Sequence, residues 1–102
     1  MAQFDVHRNP GKRRYPLLLD IQDDLLSALA TRVVVPLTPL KQLGARPITR
    51  LNPIATIDGR DYVLVFQELA AIPVAALGKS VASLRDRRTE LVAAIDLLFT
   101  GI

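Results

Sequence analysis

The chain contains no cysteine and no tryptophan, and only one histidine and one methionine. Without cysteine, neither disulfides nor thiol chemistry is available, and a reducing cytoplasm suits such a chain. A single histidine cannot build a His-based metal centre or a histidine dyad. No run approaches the ~18–20 uncharged apolar residues of a membrane span. The start, "MAQFDVHR", has no apolar core of the kind a signal peptide needs. Cytoplasmic localisation without a membrane partner is therefore expected. The five glycines stand singly, so none forms a phosphate-cradling loop. No serine stands in a nucleophile motif, and nothing points to an enzyme or a cofactor.

Half of the 102 residues are apolar, enough for one core and one domain, 1–102. So short a chain buries a modest fraction of its surface, which favours dimerisation. The net charge is +3, and ten of the thirteen cations are arginine. Arginine pairs bidentately with carboxylates and phosphates, so an acidic partner is plausible.

Along the chain, "QFDVHR" alternates, with Phe4 and Val6 on one face and Gln3, Asp5 and His7 on the other. "NPGKRR" supplies a turn, and "YPLLLDIQ" returns as a second strand, giving a hairpin with a cationic tip. "TRVVVPLT" is a β-branched strand in which Pro36 belongs at an edge or bulge. Residues 39–53 are broken by prolines and a glycine. "IATIDGRDYVLVF" is the clearest hairpin, turning at Asp58-Gly59. "QELAAIPVAALGK" is ambiguous. From Ser80 the period changes: Val81, Leu84, Leu91, Val92, Ile95, Leu98 and Phe99 form one stripe on a helix of roughly 20 residues. Ser80 or Ser83 can cap it, Ser83 with Asp86 has capping-box spacing, and Gly101 stops it. Arg88 falls on that stripe and must reach solvent or a carboxylate. The layout is several antiparallel strands followed by one C-terminal helix.

Polar candidates are few. His7, on the polar face of its strand, is expected to be exposed. Asp20, Asp23 and Asp24 in "DIQDD" form a solvated turn rather than a cation site. The runs "KRR" and "RDRR" are solvated surface, and the first could also dock an acidic segment. The most unusual feature is the end, "AIDLLFTGI", an apolar helix running into the last residue.

The order and spacing of "QFDV", "RRYPLLLDIQDDLL", "RVVVPL", "AAIPVAALG", "VASL" and "AIDLLFTGI" resemble the CcdB family, the gyrase-poisoning toxins of toxin–antitoxin pairs. The resemblance covers nearly the whole chain. It implies a mainly β fold with a C-terminal α-helix: an SH3-like barrel with a five-stranded antiparallel sheet, small additional strands, and a homodimer. It also implies that the two helix tips enter the cavity between the A subunits of DNA gyrase and trap it on cleaved DNA, without catalysis by the toxin. The matching residues are Asp96, Phe99, Thr100, Gly101 and Ile102, with Leu25 and Leu26 beside them. Two depart from the family's pattern, which has asparagine at 96 and tryptophan at 100. A CcdA-like antitoxin would dock on the hairpin at Arg8, Asn9, Lys12, Arg13 and Arg14, and on the irregular segment 40–50. DNA would be met only indirectly, through the antitoxin complex that represses the operon. Two other readings stand beside this one. The first is an endoribonuclease of the MazF/Kid type, which would need a basic groove with an acid–base pair. The second is a family member that only binds antitoxin.

Overall fold

In the computed structural model, which describes residues 2–102, seven strands form one antiparallel sheet, and a single helix follows them. β1 (Asp5–Arg8) and β2 (Leu17–Asp20) make the basic-tipped hairpin, registered Val6 to Leu19 and Arg8 to Leu17. β3 (Thr31–Pro39) lies beside β2, β4 (Ile54–Ile57) pairs with β5 (Arg60–Leu64), and β5 continues the sheet from β3. β6 (Ala70–Pro73) pairs with residues 31–34 of β3, and β7 (Ser80–Ser83) closes on β1. Instead of a five-stranded sheet with small additional strands apart from it, the short segments 70–73 and 80–83 join one sheet of seven. The result is a curled half-barrel.

β3 explains the sheet's shape. Its upper half meets β5 and its lower half meets β6, both on the side away from β2. Pro36 sits where that side changes partner. Its carbonyl accepts from the Val65 N–H at 2.9 Å, and its nitrogen, facing the same way, has no ladder bond to lose. The proline is therefore in a central strand rather than at an edge, at the one place such a strand tolerates it. The Asp58-Gly59 hairpin is as expected, with φ of 51° and 77° at its two turn residues.

The helix α1 spans Arg88–Thr100, 13 residues, and is shorter than the apolar period suggested. Ser80–Ser83 pairs with β1 instead, and Arg85–Arg87 forms a 3-10 turn. A free edge on β1 offers Ser80–Ser83 ladder hydrogen bonds that an isolated helix end could not match. Ser83 consequently makes no capping box. Its Oγ accepts from the Arg85 N–H at 3.3 Å, and no side chain caps α1 at Arg87. The far end does stop at Gly101, whose φ of 77° lets its N–H reach the Leu97 carbonyl at 3.1 Å. Arg88 is exposed and donates to Gln3 Oε1 at 3.3 Å. Leu91 and Ala94 seat the helix on Val6, Leu19, Val35, Leu37 and Phe66, the core face of the sheet.

Parts of the opposite face are buried as well, and this overturns two expectations. His7 is buried, with Nδ1 3.0 Å from the Gly78 carbonyl oxygen and Nε2 without a partner. β1 is an interior strand, and Gly78, hydrogen-bonded along its edge to Arg8, turns its carbonyl onto the His7 ring, so alternation there does not mean exposure. Asp20 is not in a solvated turn either: it is fully buried against the fully buried Arg32.

Candidate functional site

Arg32 organises the lower end of the sheet. Its Nε and Nη2 both reach Asp20 Oδ2, at 2.9 and 2.6 Å, and Nη2 also donates to the Gln22 carbonyl at 3.3 Å. Gln22 extends the network. Its amide nitrogen donates to the carbonyls of Leu26 and Thr31 at 3.2 Å, and its Oε1 accepts from the Val33 N–H at 3.1 Å. These bonds clamp the 3-10 turn Asp24–Leu26, which Asp23 caps through the Leu25 N–H at 2.8 Å. The clamped turn presents Leu25 and Leu26, 91% and 50% exposed. Exposing two leucines on a turn that is rigidly held is the arrangement of a contact surface, not of a frayed loop.

The second apolar patch is the end of α1. Phe99 is 66% and Ile102 83% exposed, while the helix behind them is anchored by Leu91 and Ala94. Thr100 turns its hydroxyl inward to donate to the Asp96 carbonyl at 2.6 Å, so it offers the tip little side chain. Asp96 is exposed beside Val92 and Ala93 on the outward face of α1. Among the described residues no hydrogen bond or ion pair joins these residues to Leu25 and Leu26. The hydrogen-bonded link from the 3-10 turn runs from Asp24 Oδ1 to the Gln3 N–H at 2.8 Å, and Gln3 in turn meets Arg88. Arg88 begins the helix, and Phe99 lies about 16 Å further along its axis.

The cationic hairpin forms a third region. Arg8, Lys12, Arg13 and Arg14 are exposed, and none has a carboxylate within 4.0 Å among the described residues. Asn9 braces the turn rather than pointing outward: its side chain donates to the Tyr15 carbonyl at 2.8 Å and its N–H to the Pro16 carbonyl at 2.9 Å. Beside the tip, the Tyr15 hydroxyl donates to Glu68 Oε2 at 2.5 Å, and the Arg14 guanidinium lies over the Tyr15 ring at 5.4 Å. The Glu68 hydrogen bond, then desolvation, holds the Tyr15 hydroxyl above its ordinary pKa. No sequence signal joins Tyr15 to Glu68, which are 53 positions apart and meet only because β2 and the turn at Phe66–Glu68 both lie against β3. Exposed Leu29, Ile48 and Ile54 were likewise not singled out by the sequence. No three His, Asp or Glu side chains converge as a metal site requires among the described residues, and none of the described helices is long and apolar enough to cross a membrane.

Comparison with known proteins agrees with this architecture. The sequence profile of the family described as "CcdB protein" matches residues 3–101. Among solved structures, the chain is similar to the Mycobacterium tuberculosis toxin MazF-mt6, with a TM-score of 0.74 and 20% identity over 93% of this chain and 95% of that one. It is also similar to an endoribonuclease in complex with its cognate antitoxin from a mycobacterial species, with a TM-score of 0.74 and 14% identity over 96% and 93% of the two chains. At such identities the likeness is one of fold.

Proposed function

Because the chain belongs to the CcdB family of toxin–antitoxin toxins, we propose that it acts as a homodimer that inserts two C-terminal helix tips between the A subunits of DNA gyrase. Gyrase is then held on cleaved DNA. One observation carries this reading: Phe99 and Ile102 are exposed at the end of a helix that the core holds rigid. A pre-organised tip loses little ordering entropy on docking. Burying a large apolar side chain is worth about 1.5–3 kcal/mol. Used twice across a two-fold axis, Phe99 and Ile102 offer roughly 6–12 kcal/mol against roughly 4–15 kcal/mol of association cost. The tips alone are therefore marginal, and Leu25 and Leu26 must contribute. Since the 3-10 turn is tied to the start of its own helix, a dimer is the natural way to place it beside a tip. A CcdA-like antitoxin neutralises the toxin at the open cations Arg8, Lys12, Arg13 and Arg14, with Asn9 shaping that surface. The pair represses its own operon, and DNA is contacted through the antitoxin.

The test is a gyrase supercoiling reaction with purified protein, scored for trapped cleaved DNA. The wild-type chain traps gyrase and Phe99→Ala does not. Thr100→Trp restores an anchor worth ~2–4 kcal/mol, lowering the concentration needed by roughly 30- to 1,000-fold. Growth arrest on induction without any gyrase trapping overturns the reading.

A second reading takes support from Tyr15 and Glu68, a hydrogen-bonded acid–base pair beside Arg14. That is the kind of constellation an endoribonuclease requires. Cleavage of a labelled RNA, lost in Arg14→Ala, would favour it over gyrase poisoning.

A further inference from the structure

We propose that Arg87 aims the helix tip: by bridging the first turn of α1 to β4, it fixes the direction in which the helix carries Phe99 and Ile102. The proposal rests on the tip-docking reading above and adds the positioning residue that this reading leaves open.

The Arg87 guanidinium is held on two sides. Its Nε donates to Glu90 Oε1 at 2.8 Å, its Nη2 pairs with the same oxygen, and its Nη1 donates to the Ile54 carbonyl at 2.7 Å. Glu90 stands in the first turn of α1, and Ile54 begins β4, the outermost strand of the sheet. Arg87 and Ile54 meet across 33 positions of chain, which the reading of "RDRR" as solvated surface did not anticipate. No side chain caps α1 at Arg87, so the bridge is the polar tie between the start of the helix and β4. Arg88, the next residue, ties instead to Gln3 Oε1 at 3.3 Å, beside the turn that holds Asp24.

Burial leaves the tip to be aimed from this end. Leu91 and Ala94, in the first two turns of α1, are fully buried, whereas Ile95 and Leu98 are partly buried and Phe99 and Ile102 are exposed. A helix seated near its base acts as a lever. With Phe99 about 16 Å beyond Arg88, rocking by about 5° at the base moves the ring by roughly 1.4 Å. Close-packed contacts register a displacement of that size. An exposed ion pair by itself adds little to stability, and Arg87 and Glu90 are both partly exposed. The value of the bridge is therefore geometric. A planar guanidinium fork fixes two acceptors on two different elements at once, which the single ammonium of a lysine does not.

The test reads helix direction and gyrase trapping separately. The chain has no native cysteine, so spin labels at Arg60→Cys on β5 and Asp96→Cys on α1, both exposed positions, report the distance between sheet and helix. Labelled chain is diluted into excess unlabelled chain, so that only distances within one chain are read. Arg87→Ala is expected to shift or broaden that distance by about 1 Å or more. Without labels, it is expected to raise the concentration that half-traps gyrase about tenfold, because a loose tip must be ordered on docking. Arg87→Lys behaves like Arg87→Ala, since it keeps the charge and loses the bridge. Glu90→Gln keeps an acceptor in place and stays within about threefold of wild type. Urea midpoints of these variants stay close to wild type, and Glu90→Ala replaces Arg87→Ala if that protein does not fold. An unchanged label distance in Arg87→Ala overturns the proposal. So does weaker trapping at an unchanged distance, which would make Arg87 a direct contact, and so does an Arg87→Lys protein equal to wild type. A large fall in the urea midpoints of both Arg87→Ala and Glu90→Ala also overturns it, because the bridge would then serve the stability of the fold. If wild type traps no gyrase while Arg87→Ala still moves the label, the gyrase reading fails and the aiming of the helix stands.

Discussion

Replacing Asp20 with alanine leaves the Arg32 guanidinium fully buried, with its nearest remaining carboxylate the largely exposed Asp24, 3.9 Å from Nη2. Removing one partner of a buried ion pair costs about 3–5 kcal/mol, because the remaining charge keeps its desolvation penalty and loses its compensation. The Gln22 N–H, 3.0 Å from Asp20 Oδ1, loses its acceptor as well. Against a total stability of about 5–15 kcal/mol, such a loss is severe. At roughly 4–8 °C per kcal/mol for a domain of this size, the midpoint of thermal unfolding falls by about 12–40 °C. Urea unfolding followed by circular dichroism measures it, and an unchanged slope attributes the shift to stability alone. The double variant Asp20→Leu with Arg32→Met removes both charges at similar volume and regains most of that loss. It does not regain the hold on the Gln22 backbone, because the donor to its carbonyl and the acceptor for its N–H are both gone. Stability and toxicity therefore separate in the double variant: it folds, yet presents Leu25 and Leu26 loosely and arrests growth less. An Asp20→Ala protein within about 1 kcal/mol of wild type would refute the reasoning, since the exposed Asp24 at 3.9 Å cannot replace a buried partner at 2.6 Å.

Three further outcomes are expected. Phe99→Ala leaves the urea midpoint within about 0.5 kcal/mol of wild type while abolishing gyrase trapping, because the ring touches the outside of the molecule and not the core. Gly78→Ala destabilises by about 1–3 kcal/mol in the same assay, since its Cβ would stand 2.8 Å from the Arg8 carbonyl oxygen, a backbone atom that cannot swing aside. For Tyr15, the raised folded-state pKa means that stability is fully present below the unfolded value of 10.0 and is lost as pH rises through the folded value. Glu68→Gln, read by tyrosinate absorbance in a Tyr62→Phe background, brings the Tyr15 midpoint back down; no movement would show that the carboxylate is not the cause.

Local patterns carried much of this protein. The Asp58-Gly59 hairpin, the basic hairpin at 5–20, the β-branched third strand and the glycine that ends α1 all follow from rules acting within a few residues. The apolar residues Phe99 and Ile102, singled out in the sequence, are indeed exposed. The order of short segments also pointed to the family whose profile matches residues 3–101.

What sequence alone did not decide was every property that depends on which strands become neighbours. Ser80–Ser83 has a helical period, yet β1 offered it a ladder partner. His7 and Asp20 were read as solvent-facing, yet Gly78 and Arg32 bury them. Arg32 and Asp20 are 12 positions apart, and Tyr15 and Glu68 are 53 apart. The physical reason is common to all four cases. Propensity and periodicity act over one or two turns of chain, whereas burial is settled by whatever the curled sheet brings across from elsewhere. Tertiary packing alone thus set a buried arginine against the backbone of Gln22, whose side chain holds the turn of Leu25 and Leu26, and opened a groove behind the helix-bearing face.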